Sequence, residues 1–103
     1  MKRFRHIAPG ILCGSLPLAR EIVAMVAEHG LRSVVDLTQR PRPTVRRACE
    51  RAGISYIKRP LPYEGGDISG AARAAGAAPR PVFFHCFHGR DRTGAVASAL
   101  CAA

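Results

Sequence analysis

Pro81-Val82-Phe83-Phe84-His85-Cys86-Phe87-His88-Gly89-Arg90-Asp91-Arg92-Thr93-Gly94 decides how this chain is read. Pro81 to His85 is a compact apolar run of the kind found in a buried strand, and the residues from Arg92 onward read as a helix. A loop between a strand end and a helix start turns its backbone N–H groups toward one point, where the helix dipole also favours negative charge. Those dipoles, with Arg92 nearby, favour thiolate over thiol at Cys86. Arg92 offers a planar fork that holds two phosphate oxygens together, a task for which lysine is a poor substitute. Gly89 lets the loop bend with its amides inward, and Gly94 keeps the helix start close to the loop. Thr93 is placed to hydrogen-bond the sulfur and help it leave, and His85 to orient the loop from behind. Together these residues suit a site that grips a phosphate ester and attacks it through sulfur.

Working outward, Phe4 to Ile7 and Ile11 to Cys13 read as short strands around a Pro9-Gly10 turn. A helix runs from Pro17 through His29, with Leu18, Ile22, Met25 and Val26 on one apolar face and Gly30 ending it. Ser33 to Leu37 is a β-branched strand, Thr44 to Ala52 a second helix closed by Gly53, and Ile54 to Ile57 a further strand. Pro60 to Gly66 is a loop, and Asp67 caps a short alanine-rich helix. This alternation predicts an α/β fold, a central, mostly parallel sheet flanked by helices, in a single domain over residues 1–103. Ligands bind such sheets beyond the carboxyl ends of the strands, where the Cys86 loop falls.

Composition narrows the classes. Hydrophobic residues make up 48% of the chain, which suits a packed domain and excludes a disordered one. The formal net charge of +9 comes mostly from arginine, since Lys2 and Lys58 are the only lysines. It reads either as a funnel for anionic substrates or as an arginine-rich bias without functional meaning. The arginines are scattered and aromatics are only 6% of residues, so no nucleic-acid partner is expected. No apolar run approaches the roughly 20 residues of a membrane span. The basic start Met1-Lys2-Arg3-Phe4-Arg5 is not followed by an apolar segment, so a cytoplasmic location is expected. Cys13, Cys49, Cys86 and Cys101 form no C-x-x-C pair and are expected reduced, with Cys13, Cys49 and Cys101 as small core residues. The spacing of His85, Cys86 and His88 is too tight for a usual structural zinc site, and no metal or cofactor is expected.

The stretch Val82 to Gly94, with Cys86 five residues before Arg92-Thr93, resembles the signature of the cysteine-dependent protein tyrosine and dual-specificity phosphatases. Phe4-Arg-His-Ile-Ala-Pro-Gly-Ile, Gly30-Leu-Arg-Ser-Val-Val-Asp-Leu and Ala52-Gly-Ile-Ser-Tyr-Ile-Lys-Arg-Pro-Leu resemble, in the right order, segments of the small atypical dual-specificity-like members. The resemblance implies a phosphatase-like fold and metal-free hydrolysis through a phosphocysteine. Cys86 would be the nucleophile, Arg92 and Thr93 would assist it, and Phe87, His88, Gly89, Arg90, Asp91 and Arg92 would surround the phosphate. Implied substrates are phosphorylated proteins (phosphotyrosine, phosphoserine or phosphothreonine) or phosphorylated inositols and phosphoinositides. Arg90 and His88 resemble the extra cations of loops that handle highly phosphorylated inositols. The leaving oxygen needs a proton, for which Asp67 is the first candidate, Asp91 the second and Glu64 the third.

The chain departs from that pattern in two places. Residues 68–78 leave room for only a short helix, and the sequence stops at Ala103, soon after the last helix begins. It therefore resembles a domain truncated at its C-terminus, with exposed apolar surface, marginal stability and weak activity expected. A phosphate-binding pseudophosphatase and a cysteine-based transferase are the competing readings.

Overall fold

The computed structural model describes residues 1–102; Ala103, the last residue of the expected domain, lies outside them. In chain order the elements are β1 (Arg5–Ala8), β2 (Ile11–Gly14), α1 (Ala19–His29), β3 (Ser33–Asp36), α2 (Pro43–Ala52), β4 (Ser55–Lys58), α3 (Ile68–Ala77), β5 (Val82–His85) and α4 (Asp91–Ala102). The five strands form one sheet in the order β1-β2-β5-β3-β4. β1 runs antiparallel to β2, and every other pairing is parallel. This is the expected α/β architecture.

Register places the functional end of the sheet. His85 pairs with Gly14 on one side and Asp36 on the other, and Asp36 pairs with Lys58. The last residues of four strands thus lie in one row, and Cys86 follows directly from its centre.

Alternation along the strands divides the core in two. Val82 and Phe84 face α3 and α4 together with Ile11, Cys13, Val35 and Val96. Phe83 faces the opposite side with Leu12, Val34, Ile22, Met25 and Cys49. Phe83 and Phe84 are wholly buried, each worth about 1.5–3 kcal/mol by transfer from water. The continuous apolar run of β5 is therefore that of a central strand covered on both faces.

Local signals explain the helix ends. α1 begins two residues after Pro17, because the Glu21 carboxylate reaches back to accept the Leu18 N–H at 2.8 Å. Glu21 also pairs with the N-terminal ammonium of Met1, which ties the chain start to this helix. Gly30 ends α1 in the left-handed conformation, φ 65°. Asp67 caps α3 through Gly70 N–H at 2.9 Å. Between α3 and α4 lies an open, largely apolar groove of about 590 Å³ lined by Ala72, Gly76, Ala77, Ala99 and Leu100. No helix among the described residues is long and apolar enough to cross a membrane.

One expectation is corrected here. Cys13 and Cys49 are buried as read from the sequence, but Cys101 is exposed on α4. The alanine-rich composition of α4 concealed its solvent face, since small apolar residues occupy both sides of that helix.

Candidate active site

Cys86 is 2% exposed and sits where β5 gives way to the loop before α4. Its N–H donates to Thr93 Oγ1 at 2.9 Å, and the Thr93 hydroxyl lies 3.0 Å from Cys86 Sγ, toward which it donates. Gly89 N–H donates to the same sulfur at 3.3 Å. Burial pushes the thiol pKa up. Hydrogen bonds from the Thr93 side chain and from the Thr93, Gly89 and Arg90 backbones more than offset this and hold it below its ordinary value. Backbone N–H groups and the Thr93 hydroxyl supply the thiolate bias. Arg92 turns toward Leu61 O, 3.4 Å from Nη1, with its guanidinium 5.5 Å from the Tyr63 ring centroid.

Gly89 is needed on two counts. Its φ is 71°, and a Cβ there would come within 2.5 Å of Gly14 C and Ser15 N, so the loop lies directly against the end of β2. Gly94 is different. A Cβ at that position would meet nothing within 4 Å, so no close approach requires glycine at the helix start.

The loop is held from outside by contacts the sequence did not announce. Arg3 Nη1 donates to His88 O at 3.3 Å and Arg5 Nη1 to Gly89 O at 3.2 Å. Leu16 N–H donates to Phe87 O at 3.0 Å. These three bonds turn consecutive loop carbonyls toward the N-terminal segment, which leaves the N–H groups free to face the sulfur. The only available signal was the basic pentapeptide at the chain start.

Beneath the loop, His85 is fully buried, with Nδ1 3.0 Å from Cys86 O. Since a carbonyl only accepts, Nδ1 carries the proton and Nε2 is left as an acceptor. Among the described residues Nε2 has no hydrogen-bond partner, and it lies 3.8 Å from Asp36 Oδ1, as two facing acceptors would. Burial lowers the His85 pKa, so the ring is neutral near pH 7. His85 thus bonds the loop backbone from beneath.

Asp36, also fully buried, was missed as a functional support. It accepts from Thr38 N at 2.8 Å, Thr38 Oγ1 at 2.6 Å, Tyr56 Oη at 2.5 Å and Lys58 Nζ at 3.0 Å. Burial alone would raise its pKa. The nearby His85 and the hydrogen bonds of Thr38 and Tyr56 outweigh that, and the carboxyl is held below its usual range. With His85 neutral, the hydrogen bonds from Thr38 and Tyr56 account for the shift. A lone aspartate ending an apolar strand was the signal in the sequence.

The remaining residues named from sequence surround this centre. Phe87, His88, Arg90 and Asp91 are exposed. Phe87, His88, Arg92 and Tyr63 line one hollow of about 230 Å³. His88, Arg90 and Asp91 line another of about 320 Å³ with Tyr63, Lys2 and Arg3. Asp67 is engaged elsewhere, capping α3 with Oδ2 3.9 Å from Arg59 Nη2. Among the described residues none of Asp67, Asp91 and Glu64 is hydrogen-bonded to Cys86.

Comparison with known proteins fits this geometry. Residues 64–103 match the profile of the tyrosine phosphatase family. No curated protein sequence matches the chain. Among solved structures, the core catalytic domain of the PP-IP phosphatase SIW14 from S. cerevisiae, in complex with citrate, is 18% identical, with a TM-score of 0.86 over 96% of this chain and 64% of that one. P. aeruginosa TpbA is 23% identical, with a TM-score of 0.77 over 92% of this chain and 60% of that one. A cysteine-to-serine form of TpbA in complex with pTyr is 22% identical, with a TM-score of 0.73 over 88% and 57%. At these identities the likeness establishes the fold, and the chain spans under two-thirds of the length of these proteins. The profile match covers residues 64–103, under half of the chain, and the fold is the one these phosphatase structures share.

Proposed function

We propose that the chain, acting as one domain, hydrolyses phosphate monoesters through a phosphocysteine on Cys86. The observation that carries this reading is the convergence of the Thr93 hydroxyl and the Gly89 N–H on a sulfur whose pKa lies below its ordinary value. The Cys86 thiolate attacks phosphorus, an S–P bond forms, and the ester P–O bond breaks with its electron pair leaving on oxygen. That oxygen takes a proton from a carboxylic acid. Water, giving a proton back to that carboxylate, then attacks the phosphocysteine, the S–P bond breaks, and Thr93 stabilises the departing thiolate as inorganic phosphate is freed. Arg92 swings from Leu61 O to hold two phosphate oxygens, with the loop N–H groups of Phe87 to Asp91 around the rest. The scheme draws on no metal or cofactor, and a thiolate nucleophile suits the reducing cytoplasm.

Asp67 is the proposed proton donor, which requires it to give up its cap and its pairing with Arg59. Asp91 is the second reading, favoured because it shares a hollow with His88 and Arg90 of the phosphate loop. As substrates we propose phosphorylated proteins or phosphorylated inositols and lipids, the first by likeness to TpbA with pTyr and the second by likeness to a PP-IP phosphatase.

Hydrolysis of p-nitrophenyl phosphate tests the reading. Turnover by the wild type that is lost in Cys86→Ser supports it. Vanadate binding without turnover by the wild type contradicts it and identifies a pseudophosphatase.

A further inference from the structure

Beside the Cys86 loop, the turn from β3 to α2 carries Arg40 and Arg42, which the catalytic scheme leaves unused. Both line the hollow of about 230 Å³ that also contains Phe87, His88 and Arg92, and no carboxylate among the described residues lines it. The Arg42 guanidinium lies 5.6 Å from the Phe87 ring centroid, and its Nε donates to Thr38 Oγ1 at 3.2 Å, which leaves its two terminal amino groups free to bind. The Arg40 side chain is exposed and makes no hydrogen bond or ion pair among the described residues. The turn itself is fixed from below, because Lys58 Nζ donates to Arg40 O at 2.6 Å, Thr38 Oγ1 at 3.0 Å and Asp36 Oδ2 at 3.0 Å.

That arrangement has a physical consequence. Asp36, the carboxylate nearest the turn, is buried and already satisfied by Lys58, Tyr56 and Thr38, so it does not neutralise the arginines above it. Two uncompensated guanidinium groups therefore sit on a braced turn, in the same hollow as the arginine that would hold the transferred phosphoryl group. Arginine forks bind phosphate bidentately, and a braced backbone lowers the ordering cost of doing so.

We propose that Arg40 and Arg42 form a second anion subsite, which takes a second phosphoryl group of the same small, multiply phosphorylated substrate while the first sits on the Cys86 loop. This rests on the phosphatase reading above and narrows it toward polyphosphorylated small molecules and away from singly phosphorylated peptides.

The test compares kcat/KM for phosphate release from inositol hexakisphosphate, from phenyl phosphate and from a phosphotyrosine peptide with acidic flanks, in wild type, Arg40→Gln, Arg40→Lys and Arg42→Gln. The ratio of hexakisphosphate to phenyl phosphate is expected to fall about tenfold in each glutamine variant, one charge-assisted contact being lost, and to be partly restored in Arg40→Lys. A ratio within about twofold of wild type overturns the subsite, as does a fall confined to the acidic peptide. Should the wild type hydrolyse none of the three esters, the phosphatase reading fails while the subsite is still decided by calorimetry. Inositol hexakisphosphate titrated into Cys86→Ser and into Cys86→Ser/Arg40→Gln then shows either a Kd weakened about tenfold, which supports it, or an unchanged Kd, which overturns it.

Discussion

Thr93 Oγ1 sits 3.0 Å from Cys86 Sγ and 2.9 Å from Cys86 N, so one hydroxyl bonds both the nucleophile and its own backbone. Replacing Thr93 by valine keeps the shape and removes both bonds. A hydrogen bond to a charged group is worth about 1.5–3 kcal/mol, so kcat is expected to fall about ten- to a hundredfold. The decrease should be larger in the step that frees the sulfur, which burst kinetics with an aryl phosphate would resolve as a slower steady state after the burst.

The thiol of Cys86 is held below its ordinary value of 9.0, so it ionises at lower pH than an unperturbed cysteine. Alkylation by iodoacetamide, followed against pH by peptide mapping, should reach half its plateau rate at Cys86 below that value. In Thr93→Val the midpoint should move upward. Cys49, pushed up by burial to about 11, should stay unreactive through the same range.

Gly89 packs against the backbone of Gly14 and Ser15 with φ 71°. Alanine there meets both a disfavoured conformation and atoms about to be overlapped, which together cost about 2 kcal/mol or more. Gly89→Ala should lower the denaturation midpoint and abolish turnover. Gly94→Ala, with open space around its Cβ, should retain both.

Asp36 supports the turn through Thr38, Tyr56 and Lys58. Its pKa is lowered in the fold, so its stabilising contribution is complete above the unfolded carboxyl value of about 4 and disappears as pH falls through the folded one. Asp36→Asn should cost about 2–3 kcal/mol at pH 7, less than a fully buried pair because Lys58 still reaches water. Urea midpoints measured from pH 7 downward should fall less steeply in the variant than in the wild type.

Asp67 separates a structural from a chemical role. Asparagine still caps a helix, so Asp67→Asn should leave the melting temperature nearly unchanged, whereas Asp67→Ala should lose about 1 kcal/mol with the Gly70 bond. A large drop in kcat in both assigns proton donation to Asp67. A drop in Asp91→Asn instead assigns it to the start of α4.

Much of this molecule is legible in its sequence, for identifiable reasons. Val82 to His85 announces a central strand because covering both faces leaves no polar alternation. Gly30 and Gly53 mark helix ends because both adopt the left-handed conformation there. Thr93 and Gly89 bond Cys86 because a strand–loop–helix turn leaves little freedom in where they point. The rest depends on distance in space. Nothing near Arg3 or Arg5 shows that they bond loop carbonyls more than eighty residues away. Nor does the spacing of Asp36 and Lys58 reveal that parallel pairing of β3 and β4 sets them side by side. Arg92 lies over Tyr63, a side chain from a loop whose path no local pattern encodes.

The central claim is that Cys86 carries the phosphoryl group. Wild-type protein mixed with p-nitrophenyl phosphate, quenched in acid within the first turnover and mapped by mass spectrometry, tests this most directly. One phosphoryl group on the sulfur of the Cys86 peptide, absent from Cys86→Ser, is the expected result. Turnover with no phosphorylated Cys86 peptide at any quench time, or turnover that survives in Cys86→Ser, would contradict it.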